Sequence, residues 1–428
     1  MLVGLKACDE ILATLVEHEL PHSVFSKMLG LKNIQLLRGA NNIYGRLLSM
    51  FVHKITLLWQ NNSISNFEYL YYINAAAGRS YLDLTQYPVF PWIIADYNCE
   101  ELDIMDKQSF RDLSLPMGCI GPKRKQQYVE RYQMMLELYN NQDEDEQTSV
   151  ENIPFYYGTH YSCAGYVLHY LIRLQPFTNM YIHLQDGHLD KADRMFYNIK
   201  AAYQSAAYDN LQDVRELIPE FFYLPHFLMN VNNIHFGTTQ KGEVVNHVVL
   251  PPWAKNNVYY FIYKHRQALE CKYVSESLHQ WVDLIFGYKA RGKNAIANIN
   301  AFMHITYEDE IDVESIEDQV LQQAIISQIN NFGICPRQMF TKAHVKKMIP
   351  DVVKSMSTGD SNMILVEPVA LNWHQNMSPP LCVIGAAQFT VLARMGLQQV
   401  SICIFVATNI NLQFQLFYNF AYYFRQHM

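Results

Sequence analysis

The segment Gln86 to Trp92, QYPVFPW, narrows the possible folds more than any other stretch of this chain. Pro88 and Pro91 remove two backbone donors and hold the chain extended, while Tyr87, Val89, Phe90 and Trp92 demand burial. A buried segment that is neither helix nor ladder needs side chains to satisfy its amides and carbonyls, because each unpaired group costs about 1–3 kcal/mol. Arg79, Ser80, Asp83, Gln86 and Asp96 stand close by in sequence and are the expected suppliers. Just before them the pattern predicts an amphipathic helix. Ser65 and Asn66 are its candidate N-caps, Phe67, Leu70, Tyr71 and Asn74 share one side, and Gly78 is placed to stop it in a left-handed turn.

Composition allows a large core. Of 428 residues half are hydrophobic and 17% charged, so the chain is globular rather than disordered. A net charge of −7 gives phosphate-driven nucleic-acid binding little support. The 29 Tyr, 23 Phe and 18 Met supply a core of large amphipathic side chains. Eight cysteines contain no C-x-x-C pair and read as buried cytosolic thiols. The opening MLVGLKACDEILATL lacks the features of a signal peptide, so the expectation is a chain on the cytosolic side.

Periodicity predicts a mainly α fold, with helices packed around irregular extended segments. Helices are expected over residues 1–58, within 123–151 ahead of the acidic run NNQDEDEQTS, over 167–173, 190–207 and 267–286, and over 316–332. A helical turn is expected at 213–218, ended by Pro219. Beyond residue 341 the composition shifts, with STGDSN (357–362) as a linker and short β-like runs at 363–366 and 381–384. The last stretch is apolar but broken by Thr408, Asn409, Asn411 and Gln413, which argues against a membrane span.

Two catalytic motifs are matched by letters alone. His18 to His22 spells H-E-x-x-H, but Pro21 denies the helical turn that would bring both imidazoles to one zinc ion. Gly287 to Lys293 spells G-x-x-x-x-G-K, yet Asn294 replaces the magnesium-binding hydroxyl and the preceding run is helical rather than a strand. His160, His169, His183, His247 and His304 could be assembled with Ser162 and Asp213 into a hydrolytic site. The simpler expectation is that such histidines, like Asp83, Asp96, Glu220 and Asp283, bond irregular backbone. No metal, nucleotide or other cofactor is expected.

The order NFEYL, AGRSYLDL, QYPVFPW, IADY, FRDLSLPMG, FYYGTHYS, VLHYLIRLQPFT, DVRELIPEFFYLPHFLMN, LPPWAKN, FIYKHRQALE and WVDLIFGYKARGK resembles a BEACH domain. VNHVVLPPWAKN and CPRQMFTKAHV are more similar to the lysosomal trafficking regulator branch than to the neurobeachin branch. The resemblance implies a BEACH domain over residues 51–340, a helical segment over 1–50 following a pleckstrin-homology-like domain, and a truncated start of a WD-repeat region over 341–428. At about 40–45 residues per blade the last is too short for a propeller. It also implies a non-enzymatic scaffold in vesicle and lysosome traffic, cytoplasmic or peripheral on endosomal and lysosomal membranes, acting through protein partners and its own pleckstrin-homology-like domain. A kinase-anchoring adaptor of the neurobeachin kind is the alternative, and a hydrolase with a His-centred site a remote one. Leu115 stands where the family has Lys, and Met303–His304 where it has His–Pro.

The residues singled out as a structural or interaction core are Asn66, Phe67, Arg79, Tyr87, Pro88, Phe90, Trp92, Asp96, His160, Glu220, Phe222, Trp253 and Trp281. The apolar residues of 213–230 are too many for one exposed patch. Truncating Phe222 to Ala should therefore cost about 3–5 kcal/mol of folding stability. Calorimetry or denaturant titration checks this; wild-type melting combined with lost partner binding would make the segment a recognition surface instead.

Overall fold

The computed structural model describes residues 43–141, 153–307 and 318–349. Two compact units emerge, one of residues 1–54 and 349–428, the other of residues 55–348. Of the first, residues 43–54 and 349 are described, the former as the opening turns of helix α1 (Ile43–Gln60). The predicted helices before residue 43, the His18–His22 motif, the acidic run beyond residue 141 and the β-like runs after 362 lie outside the described residues.

The second unit is mainly helical, and among its described residues strand pairing is limited to isolated bridges such as Phe90 with Leu217 and Ile94 with Phe110. Helix α2 (Asn66–Ala76) begins as its sequence dictates. Ser65 Oγ accepts from the Glu68 amide, and the Glu68 carboxylate accepts in return from the Ser65 amide at 2.8 Å, a reciprocal cap. Glu270 adds a second carboxylate at that terminus, accepting from the Asn66 and Phe67 amides at 2.8 and 3.0 Å, where the helix dipole favours negative charge. At the other end Gly78 takes φ +87°, and the Arg79 amide closes onto the Asn74 carbonyl.

Residues 87–94 then run buried through the unit, with only the two bridge contacts in place of regular structure. Helix α3 (Pro122–Asn140) starts with a proline at its first turn, and α4 (Ala164–Leu171) is followed by α5 (Phe177–Leu184). Around these two, Leu168, Ile172, Tyr181, Met195, Phe236 and Val245 form a separate apolar cluster. Helix α7 (Val258–Glu270) buries Phe261, Ile262, His265, Ala268 and Leu269, α8 (Lys272–Ile285) buries nine of its residues, and α10 (Gln319–Phe332) leads into an extended strap, residues 333–348.

Three expectations require correction. Residues 213–218 are extended rather than helical, because Leu217 exchanges both backbone hydrogen bonds with Phe90. Pro219 opens a 3-10 turn (Pro219–Phe222) instead of ending a helix, as a first-turn proline can. Within 190–207 only α6 (Ile199–Gln204) is α-helical. It starts where Asn198 caps the Ala201 amide, and it continues as a π-turn (Ser205–Asp209). The run 267–286 is broken at Cys271. The Leu269 carbonyl, which would carry the helix on, accepts from Asn66 Nδ2 at 2.7 Å, and Cys271 turns extended at ψ 164°. Helices α5 and α9 (Gly292–Ala297) were not anticipated; α9 starts at the last glycine of the G-x-x-x-x-G-K letters, which follow helix α8 rather than a strand.

Candidate functional site: the buried polar core

Glu216 is the hub of the core. Its Oε2 accepts from the Trp92 amide at 2.9 Å and from Arg111 Nη1 at 2.7 Å, and its Oε1 accepts from the indole of Trp281 at 3.1 Å. Arg111, almost fully buried, also donates to the carbonyls of Trp92 and Leu115. One ion pair thus satisfies both backbone polar groups of Trp92 and ties the proline segment to 213–216, to 110–115 and to α8. The Trp92 indole donates to the Arg215 carbonyl at 3.0 Å, and its ring packs against Tyr97, Tyr203 and Phe221.

The same device recurs along the segment. Arg79 donates to the Tyr87 carbonyl at 2.9 Å and to the Ile334 carbonyl of the strap. Asn74 brackets Val89, accepting from its amide and donating to its carbonyl at 2.8 and 2.9 Å. The Ser80 amide donates to the Gln86 carbonyl and Asp83 accepts from the Gln86 amide, whereas Asp96 caps Asn98 and Cys99 and does not reach the segment. Arg124 donates to the carbonyls of Ala206 and Asp213, and Arg173 to those of Asn246 and Phe196. Asp213 is bound by Ser205 and by Arg215 at 2.6 Å; burial alone would raise its pKa, but Arg215 holds it below the usual carboxylate value.

Other singled-out residues occupy this same core. Asn66 accepts from the Trp59 indole and Lys347 and donates to Leu269 and Ser275. Phe67 and Phe222 flank the Phe90 ring, with the Arg266 guanidinium 3.8 Å from the Phe67 centroid. Pro88 is buried, and Trp253 stacks on Phe261 while donating to the Asp96 carbonyl. All thirteen are buried except Asp96, which is half-buried.

His160, Ser162 and Asp213 are not aligned as base, nucleophile and orienting acid. His160 Nδ1 faces the main-chain carbonyl and amide of Ser162, at 2.9 and 3.1 Å, rather than its hydroxyl. The Ser162 Oγ is approached by Arg79 at 3.4 Å, and Asp213 is engaged elsewhere. Burial, with Arg79 nearby, drives the His160 pKa well below the usual imidazole value. No group of three His, Cys, Asp or Glu among the described residues could hold a metal ion. A cavity lined by Gly118, Tyr157, Tyr161, Glu216 and Asn300 has room for about one water.

Glu220 differs from Glu216 in having no cationic partner. Its Oε1 accepts from Tyr87 at 2.6 Å and Tyr223 at 3.2 Å, while Oε2 is buried without a partner. Burial pushes its pKa up to about 7 against the opposing pull of the Tyr87 hydroxyl. His265 and His344 go the other way, down to about 3 and about 4, both through burial.

Sequence reasoning missed Glu216, Arg111, Asn74 as a backbone partner, Arg124, Arg173 and Glu270. Arg173 carried a usable signal, a lone cation between Ile172 and Leu174 just ahead of Pro176, whereas Arg111 is followed by Asp112 and reads as a surface pair. Arg124 carried none, lying between Lys123 and Lys125.

This geometry defines a class: a mainly helical domain wound round buried irregular segments whose backbone is satisfied by buried Arg, Asn and Glu side chains. Comparison with known proteins gives that class a family. The Beige/BEACH domain family model matches residues 57–347, and the chain belongs to that family. Relatives include Protein SPIRRIG of Arabidopsis thaliana, 47% identical over 344 residues (80% of this chain, 9% of the relative). Beige protein homolog 1 of Schizosaccharomyces pombe is 48% identical over 296 residues, 69% of this chain and 11% of the relative. BEACH domain-containing protein lvsD of Dictyostelium discoideum is 47% identical over 285 residues, 67% of this chain and 9% of the relative. The chain thus spans about a tenth of the length of these relatives.

Two predictions follow from the carboxylates. Glu216→Ala leaves the Arg111 charge buried and unpaired, and should cost about 3–5 kcal/mol by denaturant titration; replacing Arg111 by Met and Glu216 by Leu together should recover part of that loss. Glu220 and the histidines set opposite pH slopes. A carboxyl whose pKa rises from 4.5 to about 7 on folding holds more protons in the folded state, so its contribution is greatest below pH 4.5 and declines as pH rises toward 7. Imidazoles depressed from 6.5 stabilise above that value and lose it as pH falls toward about 4 for His344. The melting temperature of Glu220→Gln should therefore gain on wild type between pH 5 and pH 8; parallel curves would show that Glu220 does not titrate there.

Proposed function

We propose that this chain is the BEACH part of a non-enzymatic scaffold that regulates vesicle traffic, and with it the size of lysosomes and related organelles, through protein partners. The observation that carries this reading is where the polar residues of the family motifs go. Arg79, Asn66, His160, Glu216 and Glu220 are spent inside the fold on backbone and on other buried side chains, with no convergent nucleophile, base and opening beside them among the described residues. What remains outside is surface. On α7, Tyr259 and Tyr263 are 60% and 42% exposed, with Tyr260 packed beside Tyr263, and aromatic residues of this kind are enriched where proteins meet.

The family supports traffic as the setting, and the wording of residues 245–256 and 335–345 supports the lysosomal trafficking regulator branch. A pleckstrin-homology-like domain of the longer protein is one expected partner, and WD repeats are expected to follow. No helix among the described residues is long and apolar enough to cross a membrane, and the proposed location is cytoplasmic with peripheral membrane association.

Quantitative affinity purification of the chain from its own cells, wild type against Tyr259→Ala/Tyr263→Ala, tests the reading. The expected result is a set of traffic proteins reduced by the double variant at unchanged melting temperature. Recovery of a kinase regulatory subunit as the main partner would favour the anchoring alternative. Covalent labelling of Ser162 by a serine-hydrolase probe would overturn the non-enzymatic reading.

A further inference from the structure

Two stretches without a single carboxylate lie side by side in the second unit. Residues 284–307 carry Lys289, Arg291 and Lys293, and residues 319–348 carry Arg337, Lys342, Lys346 and Lys347, in a chain whose net charge is −7. The fold brings them together. Gln338 donates to the Gly287 carbonyl at 3.0 Å, and the amides of Met339 and Phe340 donate to the Phe286 carbonyl at 2.7 and 3.1 Å. Further along, Asp283 is the common anchor: its carbonyl accepts from the Lys289 amide and its carboxylate from the His344 amide at 2.9 Å.

His344 is what fixes the strap. Its ring is buried against Trp59, Tyr69 and Phe340, with Nε2 at 2.5 Å from the Tyr69 hydroxyl, so the residues on either side are presented outward. Lys342 and Lys346 are exposed, as are Val345 at 41% and Met348 at 56%. Burial, and after it the Lys346 and Lys289 charges, hold the His279 pKa below the usual imidazole value. Arg291 is engaged with Tyr307, and Lys347 with Asn66. None of Lys289, Lys293, Lys342 and Lys346 meets a carboxylate at ion-pair distance among the described residues.

We propose that this face, the exposed Lys342 and Lys346 with the half-buried Lys289 and with Val345 and Met348 beside them, docks on an anionic phospholipid surface. Separate ammonium groups on flexible stems suit a diffuse field of lipid phosphates, whereas bidentate recognition of one peptide carboxylate is the work of arginine. The two exposed apolar side chains beside the lysines match a surface that touches the headgroup boundary. The strap needs no rearrangement to act, since His344 and its backbone bonds already hold it. This inference goes beyond the protein-partner reading and does not depend on it.

The test is co-sedimentation of the full chain, whose acidic residues 308–317 lie outside the described residues, with phosphatidylcholine vesicles carrying about one third phosphatidylserine. The expected result is binding that is absent with pure phosphatidylcholine and lost at high salt. Lys342→Glu/Lys346→Glu, both at exposed positions, should weaken it by at least about 25-fold, roughly fivefold for each lysine removed, at an unchanged melting temperature. Equal binding by wild type and variant, or no binding to the anionic vesicles, overturns the proposal. Binding of a soluble polyglutamate peptide without binding of vesicles also overturns it, and assigns the face to an acidic protein.

Discussion

The Arg111–Glu216 pair sits where the chain has no regular structure to fall back on. Three segments meet there, residues 88–94, 110–115 and 213–217, and none is a helix or a paired strand of any length. Each brings amides and carbonyls that water cannot reach. A carboxylate can accept several hydrogen bonds and a guanidinium can donate several, so one buried ion pair closes five contacts at this junction. Such a pair gives little net stability over an apolar replacement. Its effect is to specify one arrangement, because any shift of register among the three segments leaves a charge buried and alone.

The rest of the unit repeats that logic with other side chains. Arg79, Arg124 and Arg173 each bind carbonyls from two distant segments, and Asn66 and Asn74 each bridge elements through both ends of their amides. The aromatic side chains fill the space between these staples. Trp92, Phe221, Tyr170 and Phe196 pack edge to face or tilted, with the Trp92 indole held by the Arg215 carbonyl. A chain so rich in Tyr and Trp can therefore bury irregular backbone that aliphatic side chains alone would leave unsatisfied.

Function is expected on the outside for the same reason. The core's charged residues are held by several partners each, so moving one to meet a substrate would break contacts on both sides of it. The surface carries the freedom, and its two features differ in chemistry. The aromatic side of α7 suits a protein partner, whereas the lysine-rich face of residues 289 and 342–348 is electrostatic. The first lies on a helix and the second on a turn and strap, so substitutions can separate them.

Local chemistry was legible from sequence. The Ser65–Glu68 cap and the Gly78 turn depend on residues within one turn of each other, and the burial of QYPVFPW follows from two prolines among large apolar side chains. The mainly helical class and the absence of a phosphate-loop context at Gly287 were readable from the same periodicity. What the chain could not disclose one segment at a time was which side chains answer the irregular backbone. Leu269 and Asn66 are 203 residues apart, yet their hydrogen bond ends helix α7; Glu216 and Trp92 are 124 apart, and the bridge of Phe90 with Leu217 turned an expected helical turn into extended chain. The apposition of two acid-free lysine stretches likewise exists only once the strap is laid along Phe286 and Asp283. Short-range caps and burial are encoded where they act, but a carbonyl's partner is chosen by the packing that delivers it, and that packing belongs to the tertiary structure.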